Sequence, residues 1–166
     1  MNLQHKITVG RPAKVGDVGE LLALLRRAFA YMEDRIDPPS SVEQMTIASL
    51  AAKAEDEDMI WAVETGRGLV GCMFALDLGD VLYLSKIAVD VPYQGQGICQ
   101  RMMDCAEDLA NQRGIPALGL QTRVELIENH AAFARMGFVQ VGETAHPGFT
   151  QPTSITMRKP LRRPQK

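Results

Sequence analysis

Residues 89–99 read VDVPYQGQGIC and join a run typical of a β-strand, residues 81–89, to a run typical of an α-helix, residues 98–113. This is the only strand-to-helix junction in the chain with two closely spaced glycines, Gly95 and Gly97. Glycine lets backbone N–H groups approach a ligand without an intervening Cβ, and the first turn of a helix leaves several N–H groups unpaired at the positive end of its dipole. The junction therefore predicts an anion-binding loop, and its functional interpretation is a phosphate-bearing ligand.

Two nucleotide-binding motifs fit this junction poorly. A P-loop requires Lys and then Ser or Thr after the last glycine, where this chain has Ile98 and Cys99. A dinucleotide-binding fingerprint requires a third glycine or alanine at the position of Gln100, within an early βαβ unit. Here the strand before the loop instead closes an antiparallel meander.

The rest of the chain predicts a mixed α/β fold, a single domain over residues 1–160 with the order β-α-α-β-β-β-α-β-α-β-β. Asp17 with Glu20 is a candidate capping box for a first helix ending near Asp34, and Ser41 with Gln44 repeats that pattern for a second helix through about Lys53. A helical crossover places the strand at residues 117–122 parallel to the strand at 81–89. The predicted elements lie at residues 6–12, 17–34, 41–53, 59–64, 69–78, 81–89, 98–113, 117–122, 128–136, 138–141 and 154–158.

Composition excludes several classes of protein. With 166 residues the length suggests one domain, and a formal charge of −2 gives no strongly basic footprint, so we expect no nucleic-acid partner. No apolar run approaches the ~20 residues that span a bilayer, so we expect no membrane partner. Three cysteines form neither an even disulfide set nor a CxxC pair, which favours a cytoplasmic location, and no spacing resembles a metal site. Residues 161–166 form a basic tail, for which a solvated end is favoured over phosphate binding.

The sequence resembles a known family at this junction. The strand ending KIAV at residues 86–89, then Pro92, then Gln94-x-x-Gly97-x-Cys99 opening a helix, is similar to the acetyl-CoA loop of the GNAT superfamily of N-acetyltransferases. That loop has Arg or Gln, two residues, Gly, one residue, then Gly or Ala. Residues 129–138, NHAAFARMGF, resemble a later helix of the same family, and the resemblance covers about residues 5–160. It implies a mostly antiparallel sheet whose fourth and fifth strands form a parallel, splayed pair.

The resemblance also implies an activity and a set of site residues. The activity is transfer of an acetyl group from acetyl-CoA, as co-substrate, to a primary amine by direct attack, without a metal. The resemblance implies that the pantetheine arm is bound by the backbone of Ile87, Ala88 and Val89. It implies that the pyrophosphate is bound by the amides of Gln94, Gly95, Gln96, Gly97, Ile98 and Cys99. Asn129 is expected to contact the pantetheine, and Phe133 is expected to lie near the thioester sulfur.

Two residues depart from the family pattern. Cys99 stands where Gly or Ala is usual; it is either a small substitution or a thiol whose pKa is lowered by the helix N-terminus. Phe133 stands where many relatives carry the Tyr that protonates the departing thiolate, although a thiol with a pKa of ~8–9 leaves without such help. Phe133 and the lack of an obvious Glu base favour an alternative function, a non-catalytic CoA-binding module acting as a sensor or partner subunit. The loop and the expected acceptor cavity favour the enzyme.

Three residues are candidates for moving the proton of the attacking amine. Period-2 alternation places Tyr83, Ser85 and Ile87 on one face of their strand. If the N–H of Ile87 polarises the thioester carbonyl, Tyr83 and Ser85 face the acceptor and can relay a proton through water; alternatively, Tyr83 is half-buried sheet packing. His146 is a further candidate base or a solvated loop histidine, and His130 is interpreted as a surface side chain.

Tyr31 and Arg35 are the candidate acceptor-binding residues. They lie four positions apart and off the apolar stripe of the first helix, so they suit the wall of an acceptor site. Arg35 would pair with an acceptor carboxylate, or with Asp34 or Asp37 on the surface. The acceptor stays open among a polyamine, an amino acid, an aminoglycoside and a peptide or protein N-terminus, and a homodimer stays open as the assembly.

Overall fold

The computed structural model describes residues 6–12 and 16–162. Of the basic tail predicted over residues 161–166, only the first two residues lie within this range. The strands are β1 (Ile7–Gly10), β2 (Asp58–Glu64), β3 (Gly68–Asp77), β4 (Leu82–Val89), β5 (Ala117–Arg123), β6 (Val139–Thr144) and β7 (Ser154–Pro160). The α-helices are α1 (Val18–Phe29), α2 (Ile47–Asp56), α3 (Ile98–Gln112) and α4 (Ile127–Arg135). The predicted order of elements is confirmed.

All seven strands form one mixed sheet with the order β1-β2-β3-β4-β5-β7-β6. Every neighbouring pair is antiparallel except β4 and β5, which are parallel as predicted. Apolar side chains pack on both faces: those of α3 lie in one cluster with Leu82 and Leu84 of β4, and those of α1 lie in a second cluster with Phe74 of β3. The sheet is therefore covered on both sides, and β4 lies at its centre.

The first helix begins as predicted and ends early. The Asp17 carboxylate accepts a hydrogen bond from the N–H of Glu20, 3.2 Å away, which caps α1. The Glu20 side chain does not complete a capping box; its Oε1 accepts from the N–H of Leu69 at 2.8 Å and ties α1 to β3. The α-helix ends at Phe29 and only a 3-10 turn follows, at Ala30–Met32.

The second helix begins later than predicted. Ser41–Gln44 forms only a 3-10 turn, capped by Ser40, whose Oγ accepts from the N–H of Val42. The α-helix α2 starts after Thr46, which forms a reciprocal capping box with Ser49 at 3.1 and 2.9 Å. The prediction that Ser41 caps the second helix is therefore wrong, because the capping box that satisfies the helix N-terminus lies five residues later.

A β-bulge interrupts β4 at Lys86, whose φ is +51°. Ser85 pairs with Phe74 and Ala88 pairs with Cys72, so two β4 residues, Lys86 and Ile87, lie opposite one residue of β3. An extra residue in one strand reverses the alternation of side chains beyond it. Ile87 and Val89 accordingly pack on the same apolar cluster as Leu82 and Leu84. The prediction that Tyr83, Ser85 and Ile87 share one face is wrong for Ile87.

Neither a membrane span nor a metal cluster is visible in the described ranges. No helix there is long and apolar enough to cross a bilayer. No three His, Cys, Asp or Glu side chains within these ranges are placed to share a metal ion.

Candidate acetyl-transfer site

The site begins where β4 and β5 separate. Only Leu82–Leu84 of β4 pair with β5, at Leu118–Leu120. Beyond this short ladder β4 continues to Val89 and β5 to Arg123. A cavity of about 850 Å³ opens beside the diverging ends. Its lining includes most of β4, the end of β5, the turn after α1, the inner side of α4 and the loop before β7. The splayed pair that the resemblance implied is thus the floor of this cavity.

The glycine loop lies at one end of this cavity. Gly97 is the N-cap of α3 with φ +80°, and Gly95 has φ +77°, a region that L side chains rarely adopt. No heavy atom lies within 4 Å of where a Cβ would stand on either glycine, so the space in front of the loop is open. The Gln94 side chain donates to the carbonyl of Val89 at 3.0 Å and holds the loop against the end of β4. Gln94 and Cys99 both contribute to the cavity wall.

Cys99 does not have the acidic thiol that its place at a helix N-terminus suggested. Burial raises its pKa to about 11, because desolvation disfavours the thiolate. Of the two interpretations, burial contradicts the lowered pKa, and the one that remains is a small residue accepted in place of Gly or Ala.

The residues of α4 predicted to contact the cofactor line the same cavity. Asn129 donates from Nδ2 to the phenol oxygen of Tyr31 at 3.0 Å, which joins α4 to the turn after α1. Phe133 faces the cavity and packs edge-on against Phe138, with ring centroids 6.0 Å apart. Tyr31 also lines the cavity, as expected of an acceptor wall, and burial raises its pKa.

Arg35 has a different partner from those expected. Its guanidinium forms an ion pair with Glu128 of α4 at 2.6 Å, rather than with Asp34 or Asp37, and lies over the Tyr31 ring at 5.8 Å. Arg35 is not among the residues that line the cavity. Arg35 therefore lies outside the cavity lining and stabilises the wall through its contacts with Glu128 and Tyr31.

Tyr83, Ser85 and His146 all reach the cavity. Burial and the nearby Glu57 raise the pKa of Tyr83, which keeps its phenol protonated. Ser85 Oγ is buried without a hydrogen-bond partner in the described part of the protein, so it is free to bond a bound molecule. Nδ1 of His146 hydrogen-bonds Thr153 Oγ1, while burial and the charge of Arg123 lower its pKa, so the imidazole is neutral at pH 7.

His130 is not a free surface side chain. Its Nε2 lies 2.8 Å from the carbonyl oxygen of Arg123, and the contact is partly buried. It therefore joins α4 to the end of β5.

The sequence analysis missed two cations of the site, Lys86 and Arg123. Both line the cavity, at the diverging ends of β4 and β5. The sequence did contain a signal for Lys86, because this charged residue interrupts an otherwise apolar strand end. Without the bulge, however, its side chain would point to the other face of the sheet. Arg123 ends a strand as many surface arginines do, and no sequence signal distinguished it.

The comparisons with known proteins agree with this geometry. The model of the acetyltransferase (GNAT) family matches residues 20–138, more than half of the chain, and the chain therefore belongs to that family. No curated protein sequence matches it.

Solved structures share the fold at low sequence identity. PaiA N-acetyltransferase from Thermoplasma acidophilum, in complex with coenzyme A, superposes with a TM-score of 0.79 at 15% identity, covering 94% of this chain and 99% of that one. A GNAT-family acetyltransferase from Staphylococcus aureus Mu50 gives a TM-score of 0.74 at 15% identity, covering 95% and 100%. At such identities the likeness concerns the fold alone.

Proposed function

We propose that this protein transfers an acetyl group from acetyl-CoA to a primary amine by direct attack. The observation that carries the proposal is one continuous cavity, with the open glycine loop at one end and polar side chains of β4 at the other. Membership of an acetyltransferase family and the coenzyme A complex of the Thermoplasma relative support it.

The residues at the loop fit a diphosphate. Gly97 caps α3 without a side chain, so the first-turn N–H groups stay available to an anion, and the open space at Gly95 and Gly97 admits one. In the proposal, the amides of residues 94–99 bind the pyrophosphate. The backbone of residues 87–89, released from β5 by the splay, binds the pantetheine arm, with Asn129 and Phe133 on the opposite wall.

The acceptor amine must lose a proton before it attacks, because a primary amine of pKa ~10 is mostly protonated at pH 7. Tyr83 and Ser85 lie on the β4 face opposite Ile87, but both reach the cavity. We propose that a water bound between these hydroxyls relays the proton from the amine to the neutral imidazole of His146, which becomes the imidazolium. The amine attacks the carbonyl carbon of the thioester. In the proposal, the N–H of Ile87 stabilises the negative charge that develops on the carbonyl oxygen.

The departing thiolate leaves without a tyrosine acid. Phe133 cannot donate a proton, so coenzyme A would leave as the thiolate, which its modest basicity allows. We propose the cytoplasm as the place of action, where acetyl-CoA and free thiols occur together.

The test combines a binding and a turnover measurement on the full chain. Calorimetric titration with coenzyme A should show saturable heat and a rise in melting temperature. Release of the thiol from acetyl-CoA should then depend on an added amine, across amino acids, polyamines, aminoglycosides and peptide N-termini. Absence of both heat and a melting shift refutes the proposal. Tight binding without turnover on any amine indicates the non-catalytic CoA-binding module instead, for which Phe133 is the supporting observation.

A further inference from the structure

Lys86 places an ammonium group in the cavity wall without a carboxylate partner. The bulge turns its side chain toward the 3-10 turn at Ser41–Gln44, where Nζ hydrogen-bonds Ser41 Oγ. In the described part of the chain, no Asp or Glu oxygen forms an ion pair with it. Burial, Lys53 and Arg123 together lower its pKa, against the opposing charge of Glu57, which indicates a partly desolvated amine.

Arg123 brings a second cation to the same region. One nitrogen, Nη2, donates to the carbonyl of Pro39 at 3.2 Å, whereas Nη1 is buried without any partner among the described residues. Lys86, Arg123 and His146 all line the cavity, and the charge of Arg123 acts on both of the others. A buried guanidinium N–H without an acceptor is costly, and a ligand oxygen would satisfy it.

The carboxylates nearby are engaged elsewhere. Glu57 pairs with Lys53 at 2.6 Å, and Glu128, which lines the cavity, pairs with Arg35 at 2.6 Å. Glu125 accepts the N–H of Asp37 through Oε2 at 2.8 Å and does not line the cavity, although its buried Oε1 has no hydrogen-bond partner among the described residues and its charge acts on Arg123. Among the residues that line the cavity, the two cations Lys86 and Arg123 therefore outnumber the one carboxylate, Glu128, whose charge is offset by Arg35.

We propose that the acceptor carries a carboxylate, which Lys86 and Arg123 bind together, so that the substrate class is an amino acid rather than a polyamine or an aminoglycoside. The inference rests on the proposed acetyl transfer. Guanidinium and ammonium groups form strong charge-assisted hydrogen bonds with carboxylates, whereas additional ammonium groups of a polyamine would be repelled. Lys86 and Ile87 both line the cavity, so the carboxylate and the expected thioester would share it.

The cavity also specifies an apolar portion of the acceptor. Apolar side chains form the wall on the side of α1 and the following turn; they are Phe29, Met32, Pro38 and Pro39. An amino acid with an aliphatic or aromatic side chain satisfies both the cations and this wall. Leucine, methionine and phenylalanine are therefore the first acceptors to test.

The experiment compares each amino acid with its amide, which keeps the amine and the apolar side chain and removes only the negative charge. Thiol release from acetyl-CoA should be at least tenfold faster, as kcat/KM, with leucine than with leucinamide or spermidine. Lys86→Met should lower the kcat/KM for leucine by about tenfold to a hundredfold and leave the kcat/KM for leucinamide nearly unchanged. Lys86→Arg should restore most of the preference, and Lys6→Met, at an exposed lysine, is the matched control.

A second readout does not depend on turnover. Calorimetric titration with N-acetyl-leucine should show binding that N-acetyl-leucinamide lacks and that Lys86→Met and Arg123→Gln both weaken. Turnover that favours the amide or spermidine, or a preference for leucine that survives Lys86→Met, overturns the carboxylate site and leaves the acetyl transfer standing. No coenzyme A binding and no turnover with any amine would overturn both.

Discussion

Arg35 and Glu128, 93 positions apart in the chain, form an ion pair whose nitrogen and oxygen atoms lie 2.6 Å apart. The pair joins the turn after α1 to the first turn of α4, and the hydrogen bond from Asn129 to Tyr31 runs beside it. These two contacts close the acceptor side of the cavity. The wall is therefore built from two segments that neither strand pairing nor sequence proximity brings together.

Breaking this pair should affect substrate binding more than folding. Both side chains are largely exposed, so Arg35→Gln or Glu128→Gln should leave the melting temperature nearly unchanged. Each single change should raise the KM for the acceptor by about two- to fivefold, because the ion pair that holds the cavity wall in place is lost. The double variant should be no worse than either single one, as a double-mutant cycle on KM would measure. Strictly additive effects would show that the two residues act separately.

The glycine loop can be tested by charge alone. Asp and Asn at position 97 have nearly the same shape, and both tolerate positive φ better than most residues. Gly97→Asp should weaken coenzyme A binding by at least about a hundredfold, because a carboxylate then faces the phosphates among the amides. Gly97→Asn should keep most of the affinity in the same calorimetric titration. Equal losses in the two variants would place the phosphates elsewhere.

Phe133→Tyr should restore a proton donor near the thioester sulfur. The affinity of this variant for coenzyme A should stay within about twofold of that of the unchanged protein, because the ring keeps its edge contact with Phe138. Turnover should rise by about tenfold, less than the full effect of general acid–base catalysis, because a thiolate leaves readily unaided. Phe133→Leu, which removes the ring, is the control and should lower both. A large loss of cofactor affinity in Phe133→Tyr would mean that this ring does not lie near the sulfur.

Cys99 should be slow to alkylate near neutral pH. With a pKa of about 11, roughly three thiols in ten thousand are ionised at pH 7.5. The iodoacetamide rate at Cys99, followed by mass spectrometry, should rise about tenfold per unit between pH 7 and pH 10. Cys99→Ala should bind coenzyme A as the natural chain does. A rate that levels off near pH 7 would indicate an acidic thiol.

The residues of the glycine loop and the order of elements were predictable because their signals are local. Alternation, helical periodicity and paired turn residues depend only on neighbours in the chain, which is why the order of all eleven elements and the parallel pair were confirmed. The second helix was misplaced because Ser41 and Thr46 both offer a local cap, and only packing selects between them.

The chemistry at the acceptor end was not predictable in this way. A bulge inverts the side chains beyond Lys86, and its position follows from how β3 and β4 pair rather than from the strand itself. Burial decides that the Cys99 thiol stays protonated, although its place at a helix N-terminus suggested the opposite.

The sequence by itself determined the fold family and the anion-binding loop, since periodicity and the glycine spacing are properties of contiguous residues. Only the tertiary structure decided which charges meet at the acceptor end: Lys86 and Arg123 face the cavity, whereas Arg35 lies outside its lining and pairs with Glu128. The physical reason is that desolvation and ion pairing depend on groups from distant segments, whose approach is set by strand register and packing.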